Sequence, residues 1–324
     1  MRQAIYKTHG NAADVIELVE VDMPDLQPGQ TRLKVLRTPI NPSDIVQIEG
    51  VYGFQPPLPA PAGLEGIGEV VEVNGEGLEP GTLVLLPEPP GAWSTEQIVS
   101  SASLFPIPDA DIDQLAMLSV NPATAYLLLT QYVELQKGDW IIQSAANSAV
   151  GQLLTQLAKA RGIRVASVVR RDSAIAEVKE AGADAVFIDG PDLADRVAAE
   201  LDKAPVLAVD AVAGETFARL TATLQHAGTI VLYGKMSGQD VHMPDAPVLF
   251  NDIRMRGFWL TNWMQNAAPE EIGRVYGELT ELIVTGQLSA PVDRVFPLDD
   301  INEALAYTMK GERPGKVLLA PNGV

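Results

Sequence analysis

Ser144-Ala145-Ala146-Asn147-Ser148-Ala149-Val150-Gly151 is a tight turn of small residues between an apolar run, Trp140-Ile141-Ile142-Gln143, and a stretch with helical periodicity. Leu153, Leu154, Leu157 and Ala158 continue that periodicity, Gly162 closes it, and residues 164–169 form a second β-branched run. Strand, small-residue turn, helix, strand is the first unit of a dinucleotide fold. An anion would sit where the turn becomes the helix, against free N–H groups and the positive end of the helix dipole. Ala145 and Ser148 stand where a glycine fingerprint would have glycines, so a closely packed βα turn is the alternative. Arg170 and Arg171 lie 19 and 20 positions beyond Gly151, where a carboxylate would otherwise meet a ribose 2′-hydroxyl. Two cations there suit a 2′-phosphate and point to NADP(H), although Asp172 adjoins them.

Tyr52 is a second candidate, between Gly50 and Gly53 at the start of a Pro-rich loop, Phe54-Gln55-Pro56-Pro57-Leu58-Pro59. Such a loop could present a phenol to a cleft, although a tyrosine in a turn is more often a surface anchor. His9, His226 and His242 have no metal spacing and read as ordinary surface or loop residues. Trp259 and Trp263, four apart, could line an apolar pocket, with core or interface packing as the alternative.

The elements that must carry these residues divide the chain. Residues 1–108 hold short strand-like runs (4–6, 15–21, 31–38, 68–73, 82–86) punctuated by Pro and Gly, which predicts a twisted or barrel-like β domain. A helix pair over 112–134 leads to alternating strands (140–143, 164–169, 185–188, 206–210, 229–233) and helices (174–181, 193–201, 215–224). That alternation predicts a doubly wound parallel sheet. Residues 254–260 read as one more strand, 269–285 and 301–309 as helices, and 316–319 as a closing strand. A soluble α/β chain of 324 residues with 47% hydrophobic content is expected to form two domains. A net charge of −19 argues against nucleic-acid or anionic-membrane partners. The chain has no cysteine, hence no disulfide and no thiolate ligand, and no run long enough to span a membrane. With no signal-peptide pattern at 1–7, the expectation is a cytoplasmic protein.

Asn41-Pro42-Ser43-Asp44-Ile45 and Gly63-Leu64-Glu65-Gly66-Ile67-Gly68-Glu69-Val70 resemble signature turns of the medium-chain dehydrogenase/reductase family. The resemblance implies a GroES-like β-rich catalytic domain over 1–118, a Rossmann nucleotide domain over 119–262 and a return to the first domain over 263–324. Zinc members of the family carry Cys near Pro42-Ser43 and His at Leu64; this chain has neither, and Glu65 alone is no zinc site. Gly50-Val51-Tyr52-Gly53, Val120-Asn121-Pro122, Ala146 to Gly151, Leu232-Tyr233-Gly234-Lys235-Met236 and Arg256-Gly257-Phe258-Trp259-Leu260-Thr261-Asn262-Trp263 are similar to the zinc-free branch of mitochondrial-type 2-enoyl thioester reductases.

That resemblance implies NADPH-dependent reduction of the C2=C3 bond of a trans-2-enoyl thioester, with a quinone or alkenal as the alternative substrate. It makes Tyr52 the proton donor and puts Asn121 by the cofactor. Asn147, Ser148, Ala149, Val150 and Gly151 hold the pyrophosphate, and Arg170, Arg171 and Asp172 hold the 2′-phosphate. Tyr233, Gly234, Lys235 and Met236, with Phe258, Trp259 and Leu260, line the nicotinamide, and Lys316 reaches the cofactor. Lys235 and Arg171 depart from the Gly and Asp usual in the branch. A homodimer joined through 254–260 is expected, because that strand ends the sheet with Met255, Phe258 and Leu260 uncovered.

Overall fold

The computed structural model describes residues 1–87, 91–311 and 313–323. The chain divides into two compact units, Met1–Val120 with Tyr276–Val324, and Asn121–Val275. In the first stretch lie β1 (Arg2–Tyr6), β2 (Ile16–Glu20), β3 (Gln30–Pro39), β4 (Ala60–Pro61), β5 (Ile67–Asn74), β6 (Leu83–Leu85), β7 (Glu96–Ser100) and β8 (Phe105–Pro106). The second unit contributes β9 (Trp140–Gln143), β10 (Arg164–Val169), β11 (Ala185–Ile188), β12 (Leu207–Asp210), β13 (Thr229–Leu232) and β14 (Arg254–Gly257). The chain then returns to the first unit with β15 (Val292–Pro297) and β16 (Lys316–Ala320).

The first unit is β-rich, as its Pro- and Gly-punctuated sequence requires. Its main sheet runs β15-β16-β3-β5-β6-β8, with β7 also pairing β3, and a smaller sheet runs β2-β1-β4. One core of this unit gathers Tyr6, Ile48, Trp93, Leu305 and Leu319, so the C-terminal strand and helix complete what the N-terminal strands begin. The helix Pro42–Ile48 was not expected from sequence: only seven residues long, it is too short to display a 3.6-residue apolar stripe. Its mark is the cap. Asp44 Oδ2 accepts the backbone N–H of Asn41 at 2.7 Å, three residues back, as in a capping box.

The second unit is a six-stranded parallel sheet in the order β11-β10-β9-β12-β13-β14. Numbered within the unit this is 3-2-1-4-5-6, the doubly wound order, and the switch point falls between β9 and β12. Ile141, Ile142, Val165, Val168, Leu207, Val209, Ile230 and Val231 are all buried, which explains why the strands read as continuous apolar runs. The last strand is shorter than 254–260 suggested. Phe258 N–H still bonds Leu232 O at 2.9 Å, but Trp259 caps a new helix, Leu260–Asn266.

Candidate active site

Parallel strands deliver every following loop to the same edge of the sheet, and four segments singled out from sequence lie along it. The turn 144–151 follows β9, Arg170 to Asp172 follow β10, Tyr233 to Met236 follow β13, and Phe258 to Leu260 follow β14. Asn121 opens the buried helix Asn121–Thr130 of the same unit.

The turn is built for close approach. Ser144 N–H bonds Val209 O at 3.1 Å, across the switch point. Ala145 is left-handed, at φ 47°, and Gly151 follows because a Cβ there would lie 2.7 Å from Ala146 O. Ser148 caps the helix Ala149–Ala160, its hydroxyl accepting Gly151 N–H at 3.2 Å. Ala149 and Val150, as the first helical residues, have no intrahelical acceptor for their N–H groups, and those two donors with the dipole behind them fit a pyrophosphate. Gln152 Nε2 donates to Asn147 O at 3.2 Å and fixes the turn from its far side. A dinucleotide therefore fits the residues present.

Beneath the turn lies a polar group that the sequence did not announce. Ser144 Oγ donates to Asp210 Oδ1 at 2.5 Å, and the two Asp210 oxygens accept the N–H groups of Val212 and Ala213, each at 2.9 Å. Burial raises the Asp210 carboxyl above its ordinary range. Tyr233 is pushed far up, by burial first and then by the charge of Asp210, with a hydrogen bond to Ser148 opposing. Gly234 packs against the Ala211 backbone, where a Cβ would meet Ala211 O at 2.8 Å.

Just beyond β10, Arg170 is exposed and Arg171 half-buried. Lys235 pairs with Asp240 at 2.5 Å on the surface, and Met236 is exposed. A cavity of about 460 Å³ is lined by Tyr132, Phe258, Trp259, Asn262, Trp263 and Glu271 among others, so both tryptophans named from sequence face it.

In the first unit Tyr52 is half-buried in the loop beyond the helix Pro42–Ile48. Gln55 Nε2 donates to Tyr52 O at 3.2 Å, and Gln47 Nε2 to Phe54 O at 3.4 Å. Lys316 is buried, its ammonium donating to Ile40 O at 3.0 Å and to Asn41 Oδ1. Asn41 Nδ2 in turn donates to Glu65 Oε1 at 2.6 Å, Val120 N–H to Glu65 Oε2 at 2.9 Å, and Leu64 N–H to Asp44 Oδ1 at 2.9 Å. Burial is the leading cause of three shifts: Glu65 rises to about 8, Asp44 to about 7, and Lys316 falls to about 8.

Residues 27–109 match the family of alcohol dehydrogenase GroES-like domains, and residues 149–275 the family of zinc-binding dehydrogenases. The chain is 38% identical to the human mitochondrial enoyl-acyl-carrier-protein reductase, over 96% of this chain and 86% of that one. Among solved structures it resembles a putative NADPH:quinone reductase from Bacillus thuringiensis (TM-score 0.90, 27% identity, 98% of each chain covered). It also resembles Etr1p of Candida tropicalis, a mitochondrial 2-enoyl thioester reductase, in a complex with NADP and crotonyl-CoA (TM-score 0.87, 28% identity, 98% of this chain and 99% of that one). The chain belongs to the medium-chain dehydrogenase/reductase family, in its enoyl thioester reductase branch.

Two points follow from these likenesses. The second family is described by its zinc, and the residues here do not fit that ion. At the turn where zinc members have Cys and His, this chain has Pro42-Ser43 and Leu64, and the nearby carboxylates of Asp44 and Glu65 accept N–H donors around a buried ammonium. Among the described residues no group of three or more His, Cys, Asp and Glu could hold a metal ion. The expected cytoplasmic location is overturned by the relatives, which are named as mitochondrial proteins. Cysteine-free composition had pointed to a reducing compartment, and that property does not distinguish cytoplasm from the mitochondrial interior.

Proposed function

We propose that this protein is an NADPH-dependent enoyl thioester reductase that works without a metal ion. NADPH, when bound, supplies a hydride to the β-carbon of the unsaturated acyl group. The protein's own residues do the rest. Ala149 and Val150 N–H groups hold the pyrophosphate, with Asn147, Ser148 and Gly151 shaping the turn, and Arg170, Arg171 and Asp172 take the 2′-phosphate. Asn121, the segment Tyr233-Gly234-Lys235-Met236 and the segment Phe258-Trp259-Leu260 orient the nicotinamide, and Lys316 reaches the cofactor. As negative charge develops on the thioester oxygen, Tyr52 stabilises the enolate or protonates its α-carbon.

The observation that carries this reading is near full-length likeness to reductases that act on this bond, joined to a nucleotide edge with two arginines at its ribose end. The likeness to a putative NADPH:quinone reductase supports a second reading, a quinone or alkenal reductase on the same cofactor. NADPH oxidation measured with crotonyl-CoA, hexenoyl-CoA, an alkenal and a quinone separates the two. Turnover on the thioesters supports the first reading, and turnover on the others alone supports the second.

The protein acts as a homodimer joined along β14. That strand is the open edge of its sheet, and all four of its residues are exposed. Val248, Leu249 and Phe250, on the helix just before it, are exposed by 42%, 72% and 77%. A two-fold pairing of β14 with its copy would cover both features.

A further inference from the structure

We infer that His9 is a positioning residue for Tyr52. The inference rests on the reading of Tyr52 as the proton donor. It starts from the end of the helix Pro42–Ile48, where the last carbonyls have no donors within the helix. Gly50, at φ +83°, donates its N–H to Gln47 O at 3.1 Å, and Val51 donates to Val46 O at 3.0 Å. This is a Schellman closure, and it leaves the carbonyl of Ile48 unsatisfied. Two donors from beyond β1 fill it: His9 Nδ1–H at 3.2 Å and Gly10 N–H at 3.3 Å.

The imidazole also sits directly on the turn. A Cβ at Gly50 would lie 2.8 Å from His9 Cγ and 3.1 Å from both His9 Cβ and His9 Cδ2, so the ring covers the Cα of Gly50. Tyr6, buried in the core, stands behind it with ring centroids 6.0 Å apart. Tyr52 is two residues further on. Its neighbours Val51 and Phe54 are 74% and 51% exposed, so they contribute little core packing to hold the loop. The Tyr52 backbone is fixed instead by anchors on either side, His9 over Gly50 and the Gln47 and Gln55 amides on Phe54 O and Tyr52 O. Loss of the His9 anchor displaces the phenol, and a displacement of about 1 Å costs up to about a hundredfold in rate.

His9 is exposed, so its replacement leaves the core intact, and an unchanged Tm would confirm this. The experiment is a double-mutant cycle read in kcat for crotonyl-CoA, with Kd for NADPH as the control. His9→Ala should lower kcat about tenfold to a hundredfold with Kd unchanged. Added to Tyr52→Phe, it should lower kcat by no more than about twofold, because the phenol it positions is already gone. His9→Asn, whose side-chain amide can donate to Ile48 O, should restore most of the loss. The inference is overturned if His9→Ala keeps full kcat, if it costs the same factor in both backgrounds, or if His9→Asn behaves like alanine. Full turnover by Tyr52→Phe alone would instead show that the proton-donor reading is wrong, and this inference would fall with it.

Discussion

Glu65 Oε2 accepts the backbone N–H of Val120 at 2.9 Å, joining a buried carboxylate to the residue that precedes Asn121. The other Glu65 oxygen holds Asn41, which holds Lys316, so two carboxylates and one ammonium share a site that is almost closed to water. Removing the cation leaves the two acids uncompensated. Lys316→Met should destabilise the protein by about 3 to 5 kcal/mol at pH 8, measured by chemical denaturation. The loss should shrink at pH 6, where the acids take up protons.

The same cluster sets a pH dependence. Burial raises Glu65 to about 8 and Asp44 to about 7, from ordinary values of 4.5 and 3.8. The folded chain therefore binds more protons than the unfolded one from about pH 4 to 8, and the cluster's contribution to stability falls as pH rises through that window. Above it Lys316, lowered to about 8, reverses the slope, because there the unfolded chain keeps the extra proton. Glu65→Gln mimics the protonated acid. Its Tm relative to the wild type should climb between pH 5 and pH 8; a constant difference would show that Glu65 does not titrate in this way.

Arg170 and Arg171 should set cofactor choice. Charge-assisted contacts to a phosphate are worth about 1.5 to 3 kcal/mol each, so each Arg→Ala change should weaken NADPH binding roughly tenfold or more. NADH binding should change little. Equal dissociation constants for the two cofactors in the wild type would remove the 2′-phosphate site.

Light scattering at micromolar concentration should give twice the chain mass of 34.6 kDa. Phe250→Asp, placing a charge in the exposed apolar stretch before β14, should shift the mass toward the monomer. A monomeric wild type would contradict pairing along β14.

The nucleotide unit was legible because its signals are local. β9 and β10 carry the bounds that their apolar runs predict, and the 3-2-1-4-5-6 order follows from alternating strands and helices. The short helix Pro42–Ile48 could have been found from Asn41 and Asp44, three apart, a capping pattern that periodicity overlooks. The buried cluster could not. Lys316 and Asn41 are 275 positions apart, and no local pattern in either stretch records their pairing. His9 is the exposed loop residue that the sequence suggests, but its bond to a carbonyl 39 residues away leaves no local signal.

Turnover of crotonyl-CoA with NADPH, by the wild type and by Tyr52→Phe, is the decisive measurement. General acid catalysis typically contributes 10² to 10⁴ in rate, so Tyr52→Phe should lose about that factor in kcat while its NADPH affinity stays nearly unchanged. A chelator should affect neither protein. Full turnover by Tyr52→Phe would contradict the role of Tyr52, and a wild type that reduces quinones or alkenals but no enoyl thioester would contradict the proposed reaction itself.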